Sequence, residues 1–381
     1  MPKLSFYIFC LMFFAVSFGV GAMAALIPSI AVYFGIAKTQ ALPLTWLYML
    51  PYGLFALIWG PFSRIAKVKK ILLFTTLGFF ISSLFFSLSK SIEQAFIFRF
   101  LMGCFGCSFV PVALITIGKA VPIEKRSKYI GIFFALSYLS SFVSVFLSGF
   151  FASSPLFLYL IPTVLSLLVF VLVFTHLDDF DFRVDKFKLS YLKTLKNKKV
   201  VNFFIVIMLG SLFYHGLQQR LGVYLSESFS LDQMAISSIF TVATLAAIIF
   251  EFSGGFLSAR FGNIKVSSIG FILMSLFAFS LIFIRDYKLI CLMITLWGAG
   301  MALSHIGLSS HLTHFPDNLL RDASSLNSSL RFSFGGLGAF LGGLLVSLAG
   351  FKALFIVICL SLFFLGFNLK RVIKQEKEQY G

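Results

Sequence analysis

Charge is what this sequence has least of. Only 12% of its 381 residues are Asp, Glu, Lys or Arg, against 59% hydrophobic residues, and the mean hydropathy is +0.99. A soluble globule of this length would lack the polar surface to cover itself, so the composition excludes one. The short alternating segments of a membrane β-barrel are missing too. In their place stand continuous apolar runs of about twenty residues, which indicate membrane helices. Cysteine is sparse: Cys10, Cys104, Cys107, Cys291 and Cys359 all lie in apolar runs, an odd and scattered set that is no disulfide framework. The Cys104 and Cys107 pair sits mid-span with no other ligand cluster, so small-residue packing accounts for it better than a metal. Neither metal nor cofactor is expected. Reactive constellations are lacking as well, with no HExxH, no GxSxG and no paired DxxxD; an SxxK at Ser87 to Lys90 stands at a helix end without partners. These absences weigh against a membrane-embedded enzyme, and a channel or non-transporting receptor has no positive feature in its favour.

Twelve spans are legible. The first runs from Phe6 to Ala25 and on to Pro28 and Tyr33; it resembles a signal peptide, but its continuation past the small residues is read as an uncleaved helix. The others cover 44–62, 71–89, 95–118, 129–151, 157–175, 200–226, 235–258, 266–284, 289–312, 323–349 and 352–369. The fold expected is all-α and integral to the membrane, with twelve transmembrane helices in two pseudo-symmetric six-helix bundles. Residues 1–175 form the first bundle, 176–199 a polar cytoplasmic linker, 200–369 the second bundle and 370–381 a cytoplasmic tail. The net charge of +17 follows the same topology. With both termini inside, 23 Lys and Arg fall in inner segments and five in outer ones (Lys38, Lys90, Arg285, Lys288 and Lys352), the bias that orients membrane proteins. The basic pI therefore reflects an anionic inner leaflet of the plasma (inner) membrane and not a nucleic-acid partner.

A basic hairpin between spans two and three, Gly60 to Lys70, carries Arg64, Lys67, Lys69 and Lys70 and recurs in damped form about 195 residues later, with Gly255, Arg260 and Gly262. Gly60 to Lys70 resembles the major facilitator loop signature GxLaDRxGRK. Arg99 to Gly103, followed by Gly106, resembles the RxxqG signature of that family's fourth helix, and Pro122 to Arg126 resembles its next loop. Gly103, Pro122 and Arg126 recur as Gly298, Pro316 and Arg321, offset by one residue. The resemblance spans the chain and implies a secondary transporter working by alternating access. Its local flavour is that of the drug and metabolite efflux branch. Two departures stand out: the signature Asp is Arg64 here and Ala259 in the repeat, and the signature Gly is Lys67. The lock such a loop provides in relatives must be weaker or made differently, since a cation at a helix amino terminus meets like charge. The GPxxGG pattern of antiporters is also absent from span five, which has Ser140, Ser141 and Ser144, so proton antiport does not carry over by motif.

Several polar residues inside the spans are candidates for function. Glu251, the only acid well inside a span, lies nine residues from Arg260, or roughly 13 Å deep, where a carboxylate is protonated or paired. It is either a proton carrier or a structural ion pair, with Arg331 and His305 as candidate partners. On span eleven Ser324, Asn327, Arg331, Gly338 and Gly342 share one stripe. On span seven Ser211, Tyr214, His215 and Gln218 share a face, with Gln219 at its edge and Arg220 opposite; the face is read as lining a substrate cavity or as interhelical polar glue. His305 belongs to the same cavity set. Arg99 is a further coupling or ion-pair candidate, and Arg99 and Arg220 are expected to snorkel outward toward Glu93 and Glu227. The function expected is transport of a small organic solute, as proton-coupled efflux or, alternatively, uptake by a symporter or facilitator of a sugar or other metabolite, by a monomer.

Overall fold

The computed structural model describes residues 1–63, 65–183, 191, 198–312 and 317–373; side chains are described for these except at 60, 123, 124, 127, 128, 198, 199 and 317–325. Arg64, Pro316 and most of the stretch from 184 to 197 lie outside the described residues, as do the side chains of Arg321 and Ser324. The helices are α1 Lys3–Gly21, α2 Met23–Phe34, α3 Lys38–Ala41, α4 Pro43–Phe62, α5 Val68–Ser87, α6 Ile92–Gly106, α7 Phe109–Ala120, α8 Ile123–Ser148, α9 Leu160–His176, α10 Lys198–Phe229, α11 Gln233–Phe261, α12 Asn263–Ser280, α13 Tyr287–Leu312 and α14 Asp317–Ile373.

These make twelve spans, as the hydropathy predicts. α1 and α2 form the first, bent at Ala22. α6 and α7 form the fourth, which breaks at Cys107 and Ser108; Cys107 lies four residues before Pro111, where proline cannot return the helical hydrogen bond. α14 holds the last two spans, divided at Gly350, whose φ of 77° and ψ of 175° no side-chain-bearing residue adopts comfortably. The hairpin between α11 and α12 is tighter than that between α4 and α5: a single residue, Gly262 at φ 89°, ends one helix and starts the next.

The chain divides into two compact units, Met1–Leu189 and Ser190–Gly381. Within each unit similar crossings recur, one of them at the same register. In the first, Gly103 of α6 lies so close to Tyr48 of α4 that an added Cβ would press on the Tyr48 carbonyl. In the second, Gly298 of α13 meets the Ala243 carbonyl of α11 in the same way, and both residues lie 195 positions after their counterparts. Gly21 of α1 abuts Ser141 and Ser144 of α8, as Gly216 of α10 abuts Gly338 and Gly342 of α14. Small residues let the backbones touch, and so they set how the helices are rotated against one another.

Candidate functional site

The polar residues of the second unit gather into two groups. In the first, α11 and α13 bring Glu251 against His305, the carboxylate Oε1 lying 2.9 Å from Nδ1. The two side chains keep 15% and 20% of their exposure, and Glu251 Oε2 is buried with no hydrogen-bond partner among the described residues. The crossing at Gly298 and Ala243 and the seat of Gly254 against Leu303 and Ile306 hold these helices close enough for the contact. Of the two partners the sequence suggests, His305 is the one hydrogen-bonded to Glu251; Arg331 donates from Nε to Asn327 Oδ1 at 3.0 Å, one turn back on its own helix. Residues 195 positions earlier, Ala56 and Val110, are apolar and buried, so the pair belongs to one half of the repeat only.

The second group surrounds Trp297, a residue the sequence reading passes over. Its indole is 1% exposed and stacks on Tyr214 with ring centres 5.0 Å apart at 15°, and its Nε1 donates to Gln218 Oε1 at 2.6 Å. His215 sets its edge against Tyr214 at 4.8 Å. Tyr214, His215 and Gln218 are half-buried, while Ser211 and Gln219 are buried. Ser211 donates to the Arg331 carbonyl at 2.6 Å, tying α10 to α14. Tryptophan is rare here, with three in the chain, and Trp297 beside Gly298 and Gly300 in an apolar run was the available signal.

Two cations lie elsewhere than their snorkelling reading has them. Arg220 is 4% exposed; its Nη2 donates to the Ala339 carbonyl at 2.5 Å, and its guanidinium fills the space left by Gly343. Arg99 is 1% exposed among aromatic rings. Each reaches a neighbouring helix: a backbone carbonyl accepts from each guanidinium, and for Arg99 the surrounding ring faces add cation–π attraction.

At the basic hairpin of the first unit, the chain after α9 folds back as a strap. Lys67, the amino-terminal cap of α5, pairs with Asp179. Val68 N–H donates to the Phe180 carbonyl at 3.2 Å, Lys69 Nζ to the Leu177 carbonyl at 3.2 Å, and Ser5 to Asp178. Lys119 lies 4.5 Å from the centre of the Phe182 ring. The cation that replaces the signature Gly thus acquires an acid from the strap, which offsets its repulsion by the helix amino terminus. Arg183 holds the Asp181 carboxyl down at about 2 through hydrogen bonds. Lys70 and, in the second unit, Gly255 and Arg260 are exposed.

Comparisons with known proteins agree with this architecture. No curated protein sequence matches the chain. Among solved structures, the nucleoside transporter NupG superposes with a TM-score of 0.76 at 16% identity, covering 97% of this chain and 100% of that one. The human organic anion transporter MFSD10 gives 0.75 at 15% identity, covering 97% and 100%. A POT family transporter in complex with 5-aminolevulinic acid gives 0.80 at 14% identity, covering 98% and 96%. Such distant likenesses establish the fold. The Major Facilitator Superfamily profile matches residues 9–232 and 203–379, and the chain therefore belongs to the Major Facilitator Superfamily, as a multi-pass membrane transporter and not an enzyme.

Proposed function

We propose that this protein exports a small organic solute across the plasma (inner) membrane by alternating access, driven by protons, as a monomer with both termini in the cytoplasm. The observation that carries the coupling is the contact of Glu251 with His305 in the interior of the spans, with Oε2 buried beside it. A hydrogen bond between a carboxyl group and an imidazole lets one proton be shared and passed without stranding a full charge in the dry interior. Tyr214, His215 and Gln218 would contact the solute: a flat ring backed by Trp297, an imidazole and an amide offer stacking and hydrogen bonds rather than a fixed charge. The strong inside bias of positive charge supports the orientation. Export follows the resemblance to the efflux branch; uptake by symport is the alternative that a direction measurement separates.

The test is flux in vesicles of purified protein under an imposed pH gradient. Saturable movement of solute opposite to the proton flow supports the reading. Movement with the proton flow makes the protein a symporter, and flux indifferent to the gradient makes it a facilitator, which removes the role given to Glu251.

A further inference from the structure

The strap of residues 177–183 crosses the end of the first unit where Lys and Arg collect, and the two sides of that contact differ in chemistry. On the helical body stand Ser5 in the first turn of α1, Lys67 to Lys69 at the start of α5 and Lys119 in the last turn of α7. Each contributes a cation or a hydrogen-bond donor. Lys67 pairs with the Asp179 carboxylate and Ser5 donates to Asp178; Val68 N–H and Lys69 Nζ donate to the Phe180 and Leu177 carbonyls, each at 3.2 Å; Lys119 faces the Phe182 ring at 4.5 Å. The strap answers with carboxylates, carbonyls and a ring face. Positive charge on this side exceeds what the strap covers, since Lys3 and Lys70 at the same helix ends are exposed.

The hold is light. The Lys67 and Asp179 side chains keep 34% and 55% of their exposure, where solvent screens most of an ion pair's attraction. Leu177 is buried, but Phe180 and Phe182 are half-buried, their rings stacked on each other with centres 6.1 Å apart. The strap thus sets carboxylates on lysines and apolar groups beside them, at span ends where hydrocarbon gives way to headgroups. An acidic lipid offers the same lysines the same combination.

We propose that the basic face made by Lys67, Lys69 and Lys119 binds the headgroup of an anionic phospholipid, and that the strap is its competitor within the chain, displaced when such lipid is abundant. An ammonium group can only donate, so whatever covers these lysines must accept, and phosphate oxygens do so as carboxylates do. The strap is tethered to α9 at His176 and lipid fills the surrounding leaflet. Both are therefore present at high local concentration, and a small difference in affinity decides which occupies the face. Displacement would untie the ends of α1, α5, α7 and α9, which the strap now joins. The site lies in the first unit and stands apart from the solute, the proton coupling and the direction proposed above.

The experiment uses purified full-length protein in nanodiscs of phosphatidylcholine, or of phosphatidylcholine and phosphatidylglycerol in equal parts. Such discs present lipid to both faces, so the result does not depend on the orientation. Chymotryptic cleavage after Phe180 and Phe182 reports the strap, and phosphatidylglycerol retained in native mass spectra reports the lipid. Wild type should be cleaved about fivefold faster in the mixed discs, the scale of one lysine's attraction to an acidic surface. Asp178→Asn with Asp179→Asn should speed cleavage in phosphatidylcholine and raise phosphatidylglycerol retention, because the lysines are vacated. Lys67→Gln with Lys69→Gln should also loosen the strap, yet lower retention and remove the extra cleavage in mixed discs. Opposite shifts in retention from two variants that both free the strap are the mark of competition. All four side chains are at least partly exposed, so neither variant opens the core. Glu93→Gln with Asp286→Asn changes the net charge equally at exposed sites away from the strap and should leave retention at the wild-type level. Equal cleavage of wild type in both discs, an acceleration that the lysine variant shares, or a gain in retention no larger for the strap aspartates than for Glu93 and Asp286 overturns the proposal.

Discussion

Replacing Glu251 by Gln separates proton coupling from structural support, because the two readings of the pair predict different losses. Gln keeps the shape and can still donate to His305 Nδ1 across the 2.9 Å contact, but it cannot release a proton. Breaking a well-buried ion pair costs about 3–5 kcal/mol when the surviving charge is stranded. Here the Glu251 and His305 side chains retain 15% and 20% exposure, so the pair is not fully desolvated. The loss therefore falls to that of a weakened hydrogen bond, about 1 kcal/mol. In a chain of this size that is a fall in Tm of about 2 °C or less. The expected result is a folded variant that binds and exchanges solute in counterflow, yet does not accumulate it under a pH gradient. A fall in Tm several times larger, partly recovered by also replacing His305, would assign the pair to structure. A stable variant that accumulates solute against its gradient at the wild-type rate would refute both roles.

The repeated crossings make a paired prediction. Gly298→Ala and Gly103→Ala each drive a Cβ into a carbonyl oxygen of the facing helix, and each should cost about 1–3 kcal/mol in thermal scans; one tolerant member would show that its crossing is looser than drawn. The strap should come away in salt. Lys67→Asp should increase proteolysis of residues 177–183, and Asp179→Lys in the same chain should restore protection, with an effect below about 1 kcal/mol for so exposed a pair. Acid acts on the same segment in a definite window. The depressed Asp181 carboxyl favours the folded turn above its ordinary value of 3.8 and loses that contribution as pH falls through about 2, so protection should persist to pH 4 and fade below 3. For orientation, cysteine placed at Lys288 should react with impermeant reagents from outside only, and labelling from the cytoplasmic side alone would invert the topology.

Membrane residence, the twelve spans and the internal repeat were all legible in the one-dimensional pattern. Hydrocarbon excludes charge over a fixed thickness, so run length and the inside excess of Lys and Arg report the spans without reference to packing. The 195-residue offset between Gly60 and Gly255 reappears in three dimensions as the shared offset of Gly103 with Gly298 and Tyr48 with Ala243. Glu251 could be singled out too, as the one acid deep in a span, together with a partner shortlist that included His305. What tertiary structure decided was which groups meet. Helical periodicity assigns a residue to a face but does not say which neighbour that face meets or at what height, and those follow from backbone crossings at small residues. Hence the pairing of Glu251 with His305 and not with Asn327-bound Arg331, the recruitment of Trp297 by Gln218, and the capture of Arg99 and Arg220 inside the protein, where the snorkelling reading had turned them toward the membrane surface.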